Sequence, residues 1–513
     1  MEPILIQDVW RQADARRTFQ VTSPGTRAVL SHEFPVSSWN DCEAMLQSAH
    51  DAAPLLADVP GEQIARFLNG YADRIESCAD EIVTTAYIET ALPVEPRLRS
   101  VELPRTTTQL RQAAAAELEG SWRQAIIDRK LNIRSCYAAI GSVAVFGPNN
   151  FPLASNSVAG GDFAAAIAAG CPVIAKAHPL HARTSQLLAE CALETLSTIQ
   201  MVYQLENADG LRLVSDHRLG AIAFNGSRPG GLALKEAADR SSRPIYLEMS
   251  SLNPVVLLPG AIKERGDKLA VETADSGLAA AGQFCTSPNL LFVLASKETN
   301  DFVSELSALY RSRSPQPLLR RSGRPSHFGK TVGRGRPAVL TGGTPMQEAS
   351  GYCFQNTLLQ VTAAHFFEHA NAMQLEAFGN AANVVICAND IELYKALSLL
   401  EGNLTASIYS HSGGGDDSLY LGTAAILRRK CGRLLNDKMP TGVALSPAMN
   451  HGGPFPSTSH PGFTAVGIPR SIQRFGALQC FDNVRQDRLP PILRDETPAF
   501  DPWRMIDGHW EKN

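Results

Sequence analysis

The chain has 513 residues, of which 44% are hydrophobic and 19% charged, and its formal net charge is −4. This length predicts two or three domains, and the charge balance argues against a nucleic-acid partner. No apolar run approaches the roughly 18 residues that a membrane-spanning helix needs. The ten cysteines are scattered, and the N-terminal stretch carries charges where a secretory signal would be apolar, so we expect a reducing cytoplasm.

Helices joined by loops are predicted up to about residue 120, because apolar residues recur every three or four positions. From about residue 141, short runs rich in β-branched residues alternate with alanine-rich stretches. These runs are GSVAVFG, CPVIAKA, LGAIAFNG, PIYLEM and NPVVLLPG. Strands alternating with helices predict a doubly wound parallel sheet. A second α/β region is expected from about residue 252, with LLFVLAS and AANVVICA as strands.

Two later segments carry few apolar residues. Residues 311–336 contain eight arginines and lysines and no acid, with Phe328 as the only aromatic residue. A nucleic-acid surface would need more aromatic residues among the charges, so a solvated loop is the favoured interpretation. The tail after about residue 490 is rich in proline and charge, and we expect it to run over a surface.

Cys285 in AAAGQFCTSPN follows a small-residue helical stretch and precedes a proline. A thiolate in a loop that faces a cleft is a strong nucleophile. The alternative is a buried structural cysteine, which is the commoner role of a single cysteine. The pattern around Cys285 alone leaves both readings open.

Polar residues follow several of the predicted strands. Glu248 lies near the end of PIYLEM and could act as a general base, while Asn150 follows VAVFG in a turn and could donate to an oxyanion. Lys176 ends PVIAK and suits the ribose or phosphate of a nucleotide. Gly226 and Gly231 bracket a strand-to-helix turn that would let a pyrophosphate approach backbone N–H groups. Each residue also has an ordinary structural explanation, as a turn former or a solvated strand end.

The order of these motifs is more specific than any one of them. GPNNFPLASNSVAGGDFAAAIAAGCPVIAKAHP, FNGSRPGG, LEMSSLNP, GQFCTSPN and LEAFGN occur in succession. Over nearly the whole chain this pattern resembles the aldehyde dehydrogenase superfamily. The resemblance implies an NAD(P)-dependent enzyme that oxidises an aldehyde to a carboxylic acid through a thioester on Cys285. No metal is expected.

The resemblance also implies a role for each matching position. Cys285 would be the nucleophile, Glu248 the base for the deacylating water, and Asn150 an oxyanion donor together with the Cys285 backbone N–H. The cofactor would be NADP or NAD, and its binding residues would be Lys176, Phe146, Gly147, Pro148, His178, Gly226, Ser227, Gly231, Glu376 and Phe378. Pro179 stands where a glutamate would repel a 2′-phosphate, and His178, His181 and Arg183 are expected to make the surroundings mildly cationic, which favours acceptance of NADP.

Further details resemble the branch that contains α-ketoglutaric semialdehyde dehydrogenases and the NADP-linked fatty-aldehyde dehydrogenase of luminous bacteria. AMNHGGPFPSTSH is one such detail, and in that branch a histidine at the place of His451 approaches the catalytic centre. His451 would tune Cys285 or Glu248, or it would only order its own loop. Arg105 in PRTTTQL is a candidate cation for a substrate carboxylate, or else a helix-surface arginine. Asn380 replaces the usual proline of FGP, which would loosen the loop carrying Glu376.

These features predict the domain architecture of the chain and leave three candidate functions. The fold is predicted to be α/β, with a Rossmann-type cofactor domain (1–120 and 141–251), an α/β catalytic domain (252–447) and a small β bridging element (121–140 and 448–513). The bridging element implies a homodimer or homotetramer. The preferred substrate is a short oxo-acid aldehyde. A dehydrogenase of medium or long aliphatic aldehydes and a non-catalytic relative are the alternatives.

Overall fold

The structure is a computed structural model, and it describes residues 1–192, 199–320, 337–496, 498 and 500–512. Two seven-stranded sheets dominate it, accompanied by sheets of three and five strands. The predicted α/β class with two large sheets and a small β element is confirmed. The predicted helix over RTSQLLAECALETLSTI is present as Ala182–Ala192, and its last residues lie outside the described part.

The first large sheet has five parallel strands followed by two antiparallel ones at its N-terminal edge. In sheet order they are Ile245–Glu248, Leu219–Asn225, Ser142–Phe146, Val173–Lys176, Ile199–Val202, Ile4–Ile6 and Val9–Arg11. Every residue of Ser142–Phe146 is buried, as expected for a central parallel strand covered by helices on both faces. The strands that carry Glu248, the Gly226 turn, Asn150 and Lys176 at their carboxyl ends are therefore four successive neighbours.

Helices cover both faces of this sheet. They are Trp39–Ala57, Gly61–Ser77, Ala79–Thr90, Val94–Glu102, Leu103–Glu119, Gly161–Ala168, Ala182–Ala192, Asn207–Val214 and Arg228–Arg240. Leu103–Glu119 ends at Gly120, whose φ of 76° closes the helix in a conformation that favours glycine.

The prediction of helices and loops alone for the first 120 residues is wrong, because four strands precede the first helix. Two of them join the large sheet. The other two, Ala15–Thr22 and Val29–Ser37, form a three-stranded sheet together with the later strand Gln204–Leu205. In Ala15–Thr22, Phe19 and Val21 turn toward the core and the arginines before them are exposed, so the apolar alternation that marks a strand is short.

The second large sheet is parallel except for its first strand. Its strands in order are Ala338–Thr341, Thr357–Thr362, Ala381–Cys387, Leu290–Leu294, Val255–Leu257, Asn403–Tyr409 and Cys431–Asn436. Its helices are Pro259–Leu278, Lys297–Ser312, Ala363–Glu368, Ala370–Met373, Asp390–Ser398 and Asp417–Leu427. Of the basic stretch, Arg311 lies on a helix and Arg313 contacts Asp275, while residues 321–336 lie outside the described part.

The five-stranded sheet combines an early hairpin with the end of the chain. Its strands in order are Gly476–Asp482, Ile133–Ala139, Ala125–Asp128, Arg504–Ile506 and His509–Glu511. The prediction that the tail only covers a surface is wrong, because Arg504 and Ile506 are buried and pair with Ala125–Asp128. Short 3₁₀ turns complete the chain at Ser121–Arg123, Pro179–His181, Ala279–Gly282, Arg470–Phe475, Gln486–Arg488 and Pro491–Leu493. None of the described helices is long and apolar enough to cross a membrane.

Candidate active site

A cavity of about 730 Å³ lies where the carboxyl ends of the first sheet's strands face the loops of the second sheet. Ligands of open α/β sheets bind in such crevices. The cavity brings together all but one of the predicted site residues: Arg105, Phe146, Gly147, Pro148, Asn150, Lys176, His178, Gly226, Ser227, Glu248, Cys285, Glu376, Phe378 and His451. Gly231 is the exception, and Gly230 lines the wall in its place.

The loop that presents Cys285 is fixed by its backbone neighbours. Gly282 has a φ of 68°, and a Cβ there would stand 2.3 Å from the carbonyl oxygen of Gly379, so the turn requires glycine. Nδ2 of Asn253 donates to the carbonyl oxygens of Cys285 at 2.8 Å and Ser287 at 3.0 Å. No acceptor among the described residues takes the N–H of Cys285. That N–H is therefore available to an oxyanion.

Three reactive side chains meet at the bottom of the cavity. Nε2 of His451 lies 2.8 Å from Oε1 of Glu248 and 3.5 Å from Sγ of Cys285. The His451 backbone is held by a hydrogen bond to Thr464 Oγ1 at 2.8 Å. The histidine loop therefore carries its ring to the two reacting groups, which favours the tuning role over a loop-ordering one.

Burial and mutual charge set the ionisation of this cluster. Burial raises the pKa of the Cys285 thiol well above its ordinary value, and the negative charge of Glu248 raises it further. Burial also raises the pKa of the Glu248 carboxyl, but His451 and the thiol's hydrogen bond outweigh it, so this pKa lies below its usual range. Glu248 is thus a carboxylate at neutral pH, while the resting Cys285 is a thiol.

Asn150 is held in a short turn beside the cysteine loop. Its Nδ2 donates to the carbonyl oxygen of Gln283 at 2.9 Å, and the residue is 5% exposed. An amide nitrogen has two hydrogens. One is used by Gln283, which leaves the second for a ligand in the cavity.

Lys176 brings a partly buried ammonium group to the cavity. Burial lowers the pKa of Lys176 to about 8, and no carboxylate among the described residues pairs with it. Burial also lowers the pKa of His178 well below its ordinary value and that of His181 to about 4. Arg183 is neutralised by Glu190 at 3.2 Å. The expectation that these three residues make the surroundings cationic is therefore wrong, and the positive charge that acts on His178 comes from Lys176 and from Arg320, which also lines the cavity.

The glycine-bracketed turn begins the helix Arg228–Arg240. Ser227 caps this helix, its Oγ accepting from the Gly230 N–H at 3.4 Å. A Cβ on Gly226 would stand 2.7 Å from the ring of Phe224, and one on Gly231 would stand 2.9 Å from Met249 Sδ. The glycines are needed for close packing of the turn, and the helix N-terminus is left facing the cavity. Such a terminus binds phosphate oxygens.

The loop that carries Glu376 is anchored rather than loosened by Asn380. That residue is 1% exposed, and its Nδ2 donates to Phe354 O at 2.8 Å and Asn356 Oδ1 at 2.7 Å. Phe378 has a φ of 46°, which turns the chain sharply between Glu376 and this anchor. The prediction of a loosened loop is wrong.

Two arginines reach the substrate side of the cavity. Arg105 is half-buried and donates through Nη1 to the carbonyl oxygen of Val443. Arg433 lies on a strand of the second sheet and contacts the loop 440–443, which includes Val443. Its Nη2 donates to the carbonyl oxygens of Pro440 at 2.9 Å and Gly442 at 3.2 Å. Burial lowers the pKa of both arginines, and a negative charge on Cys285 offsets part of this shift.

Sequence reasoning missed Arg433, and the only signal for it was an arginine inside the strand Cys431–Asn436. It also missed Arg97, which lies 2.9 Å from the carbonyl oxygen of Asn150 and is 8% exposed. Nothing in the local pattern around Arg97 distinguishes it from its half-buried neighbour Arg99.

Comparison with known proteins agrees with this geometry. The model of the aldehyde dehydrogenase family matches residues 10–414. The chain is 36% identical over 499 residues to α-ketoglutaric semialdehyde dehydrogenase 2 of Azospirillum brasilense, covering 93% of both chains. It is 34% identical over 506 residues to α-ketoglutaric semialdehyde dehydrogenase of Acinetobacter baylyi, covering 94% of this chain and 93% of that protein.

Solved structures show the same fold. The crystal structure of PnpE in complex with nicotinamide adenine dinucleotide superimposes with a TM-score of 0.81 at 20% identity, covering 94% of this chain and 98% of that one. 3,6-anhydro-L-galactose dehydrogenase in complex with NAP gives 0.80 at 19% identity, covering 94% and 99%. The fold is that of an α/β protein with a cysteine in a large cavity. The chain belongs to the aldehyde dehydrogenase family, and the predicted class of NAD(P)-dependent aldehyde dehydrogenase is confirmed.

Proposed function

We propose that the enzyme oxidises the aldehyde carbon of a short oxo-acid aldehyde, such as α-ketoglutaric semialdehyde, and hydrolyses the resulting thioester on Cys285. The main support is that three side chains meet in one cavity. Nε2 of His451 lies 3.5 Å from Sγ of Cys285 and 2.8 Å from Oε1 of Glu248. The substrate part of the proposal is supported by the two α-ketoglutaric semialdehyde dehydrogenases that this chain resembles.

In this proposal the Cys285 thiol loses its proton to solvent by way of His451, whose Nε2 lies 3.5 Å from Sγ, and the resulting thiolate attacks the aldehyde carbon. The second amide hydrogen of Asn150 and the Cys285 N–H stabilise the oxyanion that forms. A bound nicotinamide ring supplies the acceptor for the hydride that leaves this adduct. The thioester that remains on Cys285 is hydrolysed by a water whose proton passes to the Glu248 carboxylate, which His451 orients through Nε2. The acid leaves, and Cys285 regains its thiol.

The cofactor end fits a dinucleotide by the chemistry of its donors. The unpaired Lys176 ammonium suits ribose hydroxyls or a 2′-phosphate. The helix N-terminus at Ser227 suits the pyrophosphate, since Gly226 leaves the backbone accessible. The same cavity is lined by Phe146, Gly147, Pro148, His178, Glu376 and Phe378. We propose that both NADP and NAD are accepted.

Arg105 and Arg433 are the proposed cations for the substrate carboxylate. Both line the cavity that contains Cys285, and both donate hydrogen bonds to carbonyl oxygens of the loop 440–443. An arginine fork matches the geometry of a carboxylate. Neutral long-chain aldehydes would gain nothing from these charges, so the arginines favour the oxo-acid substrate over the aliphatic alternative.

The domain division at residues 120, 140, 251 and 447 and the homo-oligomeric state are part of the same proposal. Gly476–Asp482 is an edge strand of the five-stranded sheet, and Leu478 on it is 65% exposed. An edge of this kind can pair with another subunit, which native mass spectrometry tests directly. Cytoplasmic residence is proposed because all ten cysteines are free.

The test is the reduction of NAD⁺ and NADP⁺ at 340 nm (the absorbance of reduced nicotinamide), with Cys285→Ala as control. The aldehydes are α-ketoglutaric semialdehyde, succinic semialdehyde and straight-chain aldehydes. We expect the largest kcat/KM with the oxo-acid aldehyde and no turnover in the variant. Preference for long aliphatic aldehydes would reject the substrate, and turnover by Cys285→Ala would reject the mechanism. A chelator is included because Cys285, Glu248 and His451 could also hold a metal ion.

A further inference from the structure

A buried ion pair lies directly behind the turn that carries Asn150. Nη2 of Arg97 is 3.2 Å from Oε2 of Glu102, and the two residues are 8% and 0% exposed. Oε1 of Glu102 accepts the N–H groups of Leu153 at 2.9 Å and Ala154 at 3.1 Å. The pair is therefore fastened to the backbone just after Asn150.

The same arginine contacts both halves of the reactive centre. Its Nη2 donates to the carbonyl oxygen of Asn150 at 2.9 Å. Its guanidinium carbon lies 4.2 Å from the ring centre of Phe151 and 4.5 Å from that of Phe284, which are the residues after Asn150 and before Cys285. The two rings meet edge to face at 5.5 Å. A planar guanidinium stacks on aromatic rings in a way that an ammonium cannot reproduce.

We propose that Arg97, held by Glu102, is a positioning residue that sets the distance and orientation between the Asn150 amide and the Cys285 thiol. It acts through the backbone of Asn150 and the ring of Phe284. This inference rests on the proposed function, because it assigns Arg97 a part in stabilising the oxyanion. Displacing reacting groups by about 1 Å can cost on the order of 100-fold in rate, so a support of this kind affects catalysis without touching substrate.

The experiment is a double-mutant cycle of Arg97→Lys and Asn150→Ala, measured as the pre-steady-state rate of reduced nicotinamide formation. Arg97→Lys keeps the charge beside Glu102 but loses the planar stack. We expect this change alone to slow the burst about tenfold, with the KM for aldehyde and for cofactor altered less than about twofold. In the Asn150→Ala background the same change should cost less than about twofold, because its effect passes through the missing amide.

Arg99→Lys is the matched control, because Arg99 lies on the same helical segment but is 39% exposed at its side chain and pairs with Asp80. It should leave the burst unchanged. Glu102→Gln removes the charge that holds Arg97 and should also slow the burst. If Arg97→Lys does not show a native thermal transition, Glu102→Gln takes its place in the double-mutant cycle.

Two results would overturn the positioning role. An equal slowing by Arg97→Lys in both backgrounds would show that it acts independently of Asn150. A rise in KM confined to acidic aldehydes would make Arg97 a substrate-binding cation instead. An Asn150→Ala enzyme as fast as wild type would reject the oxyanion role in the proposed function itself, so that the two failures are distinguishable.

Discussion

The two ends of the cavity are built in opposite ways. At the chemical end, Cys285, Glu248 and His451 contact one another, and protein groups fix each of them. At the cofactor end, the Lys176 ammonium is partly buried without a carboxylate partner among the described residues, and a helix N-terminus faces open space. The chemical end is thus organised before any ligand arrives, whereas the cofactor end has charges that a ligand must complete. Changes at the first should alter rates, and changes at the second should alter affinities.

The largest expected effect is that of Glu248→Gln. Loss of a general base costs on the order of 10²- to 10⁴-fold, so steady-state turnover should fall by about that factor. The initial burst of reduced nicotinamide should survive, because glutamine removes the negative charge that raises the pKa of the Cys285 thiol. Stopped-flow absorbance measures both phases. Loss of the burst together with turnover would show that Glu248 is needed before hydride transfer.

A smaller effect is expected where the chemical end meets the substrate. Hydrogen bonds to charged groups contribute about 1.5–3 kcal/mol, so Arg433→Gln or Arg105→Gln should lower kcat/KM for α-ketoglutaric semialdehyde by roughly 10- to 100-fold. Pentanal, which lacks the carboxylate, should be affected far less. Arg429→Gln serves as a control, since Arg429 is exposed four residues before Arg433. Equal losses with both aldehydes would mean that the arginines support the loop 440–443 and bind no carboxylate.

The cofactor end should show its dependence on charge through pH. The pKa of Lys176 is about 8 because of burial, so the ammonium loses its proton as pH rises through that value. The Kd for NADP⁺ should therefore rise about tenfold between pH 7 and pH 9.5, and that for NAD⁺ should rise less. Fluorescence titration measures both. In Lys176→Arg, which stays charged, the NADP⁺ dependence should vanish, and its persistence would implicate another group.

The smallest effect concerns the resting thiol. Because the Glu248 charge raises the pKa of Cys285, Glu248→Gln should speed alkylation of that cysteine by iodoacetamide a few-fold at pH 8. Peptide-resolved mass spectrometry separates it from Cys480, which is exposed and provides an internal reference. Unchanged alkylation would mean that burial alone sets this pKa.

The sequence predicted the chemistry better than the scaffold that holds it. Lys176 and Glu248 were recognisable because each ends an apolar strand, and Asn150 because it lies in the turn after one. Parallel strands bring their carboxyl ends to one edge of the sheet. The N-terminal strands were missed because the alternation in Ala15–Thr22 is short, with Phe19 and Val21 turned toward the core after two arginines. Its pairing with Val29–Ser37 depends on tertiary contacts.

Residues that act across long sequence distances were not predictable. Arg97 meets Phe284 only in the folded chain. The contact of Arg433 with the loop 440–443 is local in sequence, but nothing in the local pattern indicates it. The neutrality of His178 and His181 was missed for the same reason, because it follows from burial rather than from neighbours in sequence. The sequence identified the glycines of the turn but not the role of each one. Gly231 was predicted to bind the cofactor, but it packs on Met249 and does not line the cavity.

The central claim is that Cys285 carries the acyl group between oxidation and hydrolysis. Peptide mass spectrometry of Glu248→Gln, quenched in acid after one turnover with α-ketoglutaric semialdehyde and NADP⁺, tests it most directly. The account predicts one acyl group on the peptide containing Cys285, formed in proportion to the burst of reduced nicotinamide. A full burst with no adduct, or with an adduct on another residue, would contradict it.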